Sequence, residues 1–65
     1  MRPEHRARCE KALMRSGISK AQADKLIDAG YQTPRFLREA SDEELLAIAG
    51  IGQATVDKVR AWVGQ

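Results

Sequence analysis

Hydrophobic residues along this chain recur three or four positions apart, and Gly, Pro, Ser or Thr punctuates the intervals between groups. Cys9 and Leu13, with Ala12 beside them, form one stripe. Ala23, Leu26 and Ile27 form a second, Phe36 and Leu37 a third. Leu45, Leu46, Ile48 and Ala49 follow, and then Val56, Val59 and Val63 with Trp62 alongside. This is the spacing of amphipathic helices, and no segment alternates as a strand would. The start and stop signals agree. Pro3 suits the first turn of a helix reaching about Arg15, which Gly17 ends. Ser19 with Gln22 reads as a capping box opening a helix that runs to about Ala29, and Gly30 is its stop. Thr33-Pro34 opens a short helix to about Ala40. Ser41 with Glu44 is a second capping box, with Asp42, Glu43 and Glu44 in a first turn where the helix dipole favours negative charge. That fourth helix is expected to carry Leu45, Leu46, Ile48 and Ala49. After the Gly50-Ile51-Gly52 turn, a fifth helix spans about Gln53 to Val63. The expected fold is all-α, a compact bundle of five short helices forming one domain over 1–65.

Two of these segments are nearly the same. Residues 17–26 read GISKAQADKL and residues 50–59 read GIGQATVDKV, an offset of 33. Gly17/Gly50, Ile18/Ile51, Ala21/Ala54, Asp24/Asp57 and Lys25/Lys58 recur in register, and Leu13 and Leu46 each precede the glycine by four residues. An internal repeat is one supersecondary unit used twice. Here the unit is helix, tight turn, helix. The first copy covers about 4–29, the second about 42–63, and a connector helix at about 33–40 joins them across a pseudo-twofold axis. In the second copy glycines flank one apolar residue. Glycine reaches positive φ and lets another group approach the backbone closely. Ile51 would then point inward and anchor the turn, while the amides of Gly50, Gly52 and Gln53 face out at a helix N-terminus. Free amides at the positive end of a helix dipole form an anion site.

Composition narrows the function classes. The chain is 65 residues, 43% hydrophobic and 31% charged, which fits a small globular domain and not a disordered segment. The longest apolar stretch, Leu45 to Ile51, is far too short to span a membrane, and no apolar run follows the basic start as in a signal peptide. The single cysteine, Cys9, permits no internal disulfide, fits a reducing compartment and reads as a buried apolar residue. His5 and Cys9 are too few ligands for zinc. There is no Ser/His/Asp set, no phosphate loop with lysine and no cofactor motif, so the expectation is a non-enzyme without cofactor or metal. The net charge is only +2, but residues 1–20 carry +4 and residues 21–65 carry −2. A basic first third can meet a polyanion.

The residues Leu46, Ile48, Gly50, Ile51, Gly52, Val56 and Val59 resemble the helix-hairpin-helix motif, a sequence-independent DNA-binding unit. The whole resembles the paired helix-hairpin-helix domain, a SAM-domain-like fold. The stretch KLIDAGYQTPRFLREASDEELLAIAGIGQATVDKV is similar to the C-terminal domain of the bacterial RNA polymerase alpha subunit. It is also similar to the N-terminal domain of archaeal and eukaryotic RecA-type recombinases, the likeness covering about 13 to 63. The resemblance implies sequence-independent binding of double-stranded DNA through backbone phosphates. On that reading the amides of Gly50, Ile51, Gly52 and Gln53, with the Thr55 hydroxyl, hold one phosphate. Gly17, Ser19 and Lys20 hold its dyad-related counterpart, while Lys58 and the arginines of the first helix steer. The chain departs from DNA-binding members in having Gln53 and Ala54 where one or two lysines or arginines follow the second glycine. Ala21 stands where the polymerase-type domain carries an arginine, and Ser19 where the first copy's second glycine belongs. Two to four phosphate contacts are expected, with affinity on the order of 10⁻⁴–10⁻⁶ M. The alternative is a small protein–protein interaction module whose glycine turns are purely structural. The expected location is cytoplasmic, nucleoid-associated if DNA is the partner.

Overall fold

The helix boundaries follow the capping residues. The computed structural model describes residues 2–64. Its helices are α1 (Pro3–Met14), α2 (Lys20–Asp28), α3 (Pro34–Glu39), α4 (Asp42–Leu46) and α5 (Gln53–Val63). Both expected capping boxes are formed. The Gln22 N–H donates to Ser19 Oγ at 3.2 Å while the Ser19 N–H donates to Gln22 Oε1 at 3.1 Å. The Glu44 N–H and the Ser41 N–H make the same reciprocal pair, each at 3.1 Å. Each cap stabilises its helix by about 1 kcal/mol, which matters for helices of nine and five residues. Thr33 is extended at the N-cap of α3 but its side chain makes no capping bond, so Pro34 opens that helix by its fixed φ alone. At the end of α2 the Gly30 N–H donates to the Ile27 carbonyl and the Tyr31 N–H to the Leu26 carbonyl. With Gly30 at φ +96 this is a Schellman stop.

The structure corrects one expectation and separates residues that the sequence pattern groups together. α4 ends at Leu46, so Ile48 and Ala49 lie in the turn beyond it and not on the helix. The reason is local: the Ile48 N–H bonds three residues back to Leu45, and the Ile51 N–H bonds three back to Ile48, tightening the chain toward Gly50. The matched leucines are also unequal. Leu13 is fully buried, whereas Leu46 is 40% exposed and Leu45 takes the core position. Phe36, in the same apolar pair as the buried Leu37, is likewise exposed.

The core is built from Leu13, Leu26, Leu37, Leu45, Val56 and Val59, with Cys9, Ile18, Ile27, Ile51 and Val63 around them. α1 packs on α2, and α3 and α4 both pack on α5. The result measures 29 × 25 × 20 Å. Arg60 fastens the α3–α4 corner to α5. Its guanidinium donates to the Leu37 and Ala40 carbonyls and, at 2.9 Å, to Asp42 Oδ1. The two hairpins meet about a pseudo-twofold axis. Gln22 Nε2 donates to Thr55 Oγ1 at 2.7 Å, and these two residues are 33 apart, the offset of the repeat itself. Equivalent positions touch each other only where the axis passes between them.

Candidate nucleic-acid interface

Each turn is drawn into the core by one side chain. Ile18 and Ile51 are buried, as expected of Ile51, while Gly17, Gly50 and Gly52 stay exposed. Gly17 at φ +100 and Gly50 at φ +87 occupy a backbone region that only glycine adopts without strain. The Gln22–Thr55 bond joins the third residue of α2 to the third residue of α5. The N-termini of these helices therefore sit side by side. Their positive dipole ends open onto one face, lined by the exposed residues Ser19, Lys20 and Ala21 from one hairpin and Gly52, Gln53 and Ala54 from the other.

The two turns differ in what they leave open. No side chain caps α5, and the first N–H groups of a helix have no partner within it. The amides of Gln53 and Ala54 are thus presented outward, while the Gln53 side chain turns to Asp57 Oδ1 at 2.9 Å. Gly52 has extended backbone, φ −111 and ψ −179, and a β-carbon placed there would meet nothing within 4 Å. Glycine at 52 is not demanded by the backbone; its lack of a side chain leaves the amides accessible. At the first turn Ser19 holds the same backbone position but consumes its own N–H and that of Gln22 in the capping box. Ser19 is a cap, not a damaged glycine.

Two expected contacts change character. Thr55 is only 4% exposed, and its hydroxyl already accepts from Gln22. It joins the hairpins and is not on the surface to touch a phosphate. Lys20 is exposed, but its ammonium lies 3.4 Å from Asp24 and 3.7 Å from Glu10. Arg6 completes this cluster, 3.3 Å from Glu10, 3.5 Å from Asp24 and 2.9 Å from Asp28. The neighbouring Glu10 carboxyl, which shares its cations, and then the charges of Lys20 and Arg6 hold the Asp24 carboxyl below its usual range. The cation expected at the first turn is therefore paired with carboxylates at the surface, along with one arginine of α1. Arg2, Arg8, Lys11 and Arg15 remain exposed.

The lysines farther along the helices are placed otherwise. Lys58, on α5, reaches the first turn: its ammonium lies 3.5 Å from the Gly17 carbonyl oxygen. A β-carbon on Gly17 would lie 3.7 Å from Lys58 Cδ. Lys25, on α2, reaches the second turn, where a β-carbon on Gly50 would lie 3.8 Å from Lys25 Cγ. The dyad exchanges these contacts as it exchanges the repeats. Lys25 was not among the site residues expected from sequence. Its only signal was recurrence in register with Lys58, since residues eight apart from a turn in sequence give no sign of approaching the other turn.

Among the described residues no group of three His, Cys, Asp or Glu side chains is arranged to hold a metal ion, and no pocket opens. No described helix is long and apolar enough to cross a membrane. The family model for the SAM-like helix-hairpin-helix tandem matches residues 11–61, both hairpins and the connector. It does not single out the RNA polymerase or recombinase domains within that fold. Comparison with curated proteins and with solved structures gives no match.

Proposed function

The chain belongs to the SAM-like helix-hairpin-helix tandem family, a family commonly concerned with nucleic acids, and on that premise we propose that it binds double-stranded DNA through backbone phosphates without reading sequence. The observation that carries this reading is the uncapped Gly50–Gln53 turn, set beside the N-terminus of α2 on one exposed face. Amides at a helix N-terminus suit phosphate oxygens, and such contacts position a duplex without carrying sequence information. Base readout has no support, because no helix offers a row of Arg, Asn and Gln toward base edges. The same reading makes the chain a binding module and not an enzyme. The competing reading, a protein-docking module, draws on the ion-paired first turn, where Lys20 is taken up by Glu10 and Asp24.

Titration with labelled duplex, following backbone amide NMR shifts at ~50 mM and ~200 mM salt, separates the two. Two to four phosphate contacts give a slope of about −2 to −4 in log K against log salt, or about 10- to 150-fold weakening over that range. Shifts should centre on Gly17–Lys20 and Gly50–Thr55. Absence of shifts at ~50 mM salt with millimolar DNA would defeat the DNA reading.

A further inference from the structure

We infer that each turn receives its phosphate-pairing cation from the other repeat: Lys25 of the first hairpin serves the Gly50–Gln53 turn, and Lys58 of the second serves the Gly17 turn. The inference rests on the proposed DNA binding and assigns the cations that the turn sequences themselves lack. Gln53 and Ala54 supply no charge after Gly52, and Lys20 is held by two carboxylates. Lys25 and Lys58, in contrast, are exposed and enter no ion pair among the described residues.

Their stems lie against the opposite turns. The methylenes of Lys25 run beside Gly50 and those of Lys58 beside Gly17, at ordinary van der Waals distance for an added β-carbon. Apolar stems lying along a surface while the ammonium stays in water is the usual habit of lysine. One methylene of each lysine therefore lies over the glycine of the opposite turn. Both glycines are required by the positive φ of the turn, and a β-carbon at either would rest against the crossing stem at ordinary contact distance. The Lys58 ammonium, 3.5 Å from the Gly17 carbonyl, already sits at the turn where a phosphate oxygen would meet it. A phosphate at either turn would thus be held by amides of one repeat and a charge of the other, so that both hairpins must be docked for either site to be complete.

The test uses K25Q and K58Q, which keep most of the stem and remove the charge, with K20Q as the contrast. Duplex affinity is measured by fluorescence anisotropy across ~50–200 mM salt, with amide shifts recorded for each variant. Each crossing lysine should lower the salt slope by about one, whereas K20Q should change it by clearly less. In K25Q the DNA-induced shifts should fall at Gly50–Gln53, in the other repeat, and in K58Q at Gly17–Ser19. If the wild-type chain binds DNA and K25Q and K58Q bind as well as it does, or lose shifts only within their own repeat, the exchange is wrong while the DNA reading stands. If the wild-type chain binds no duplex at ~50 mM salt, the DNA reading fails and the exchange with it.

Discussion

Replacing Gly52 with Asp separates what the second turn does for the fold from what it does for a ligand. Gly52 is the N-cap of α5, its backbone is extended, and a β-carbon there meets nothing within 4 Å. No strain follows from the substitution. Asp is among the preferred N-cap residues, better than glycine by a few tenths of a kcal/mol, and its charge lies at the positive end of an eleven-residue helix. That charge contributes about 0.3–1 kcal/mol at low salt. The sum is a stabilisation of about 0.5–1 kcal/mol, or a rise in Tm of about 2–8 °C for a domain of this size. The same carboxylate would cap the amides that a phosphate needs and repel the phosphate itself. Duplex affinity should fall at least about tenfold, equivalent to about 1.4 kcal/mol. Thermal melting followed by circular dichroism gives the first quantity, and fluorescence anisotropy with labelled duplex at ~50 mM salt gives the second. Gly50→Ala is the contrast: at φ +87 it should destabilise by about 1–2 kcal/mol. A lower Tm for Gly52→Asp would refute the view that Gly52 serves access, and an unchanged affinity would refute the phosphate site at this turn.

Thr55→Val removes the hydroxyl that accepts from Gln22 and should lower stability by about 0.5–1.5 kcal/mol in urea unfolding. Because Thr55 is buried, the variant's salt slope for duplex binding should match that of the unaltered chain. Arg60→Lys keeps the charge but cannot reproduce the fork that reaches Leu37, Ala40 and Asp42 together. A loss of about 1–3 kcal/mol is expected, and a Tm within experimental scatter of the unaltered chain would show that this corner is held by packing alone. Asp24 and Glu44 both titrate below their ordinary values of 3.8 and 4.5. The Asp24 shift comes from the neighbouring Glu10 carboxyl and the charges of Lys20 and Arg6, and the Glu44 shift from the Ser41 backbone N–H. The folded state therefore binds fewer protons than the unfolded chain. Their contribution is complete above the ordinary values and is lost as pH falls through the lowered ones. Glu44→Gln preserves the capping box, which accepts Gln as well as Glu, so its Tm should drop less than that of the unaltered chain on acidification from about pH 6 to about pH 3.

Sequence alone carried the helices, their caps and the duplication, because each is encoded within a few residues. Ser19 with Gln22 and Ser41 with Glu44 are local hydrogen-bonding partners, and Gly30 and Gly50 mark positive φ wherever the rest of the chain lies. Ile51 between its glycines pointed inward for the same reason. The end of α4 was not legible, since Ile48 and Ala49 continue an acceptable helical pattern until the turn pulls Ile48 aside. Nor was the inequality of Leu13 and Leu46, which only the packing around Leu45 decides.

For the candidate site the division is sharper. The repeated sequence determined two turns and a pseudo-twofold relation between them, because equal segments bury equal faces. What lies across the axis was decided by tertiary structure. Docking the hairpins spent the Thr55 hydroxyl on Gln22 and laid Lys25 and Lys58 along the opposite turns, while packing α1 on α2 within the first hairpin set Lys20 between two carboxylates. Each of those pairings except Lys20–Asp24 joins residues distant along the chain. Side-chain chemistry is written in sequence; which groups neutralise, bury or expose one another depends on which surfaces the fold brings together.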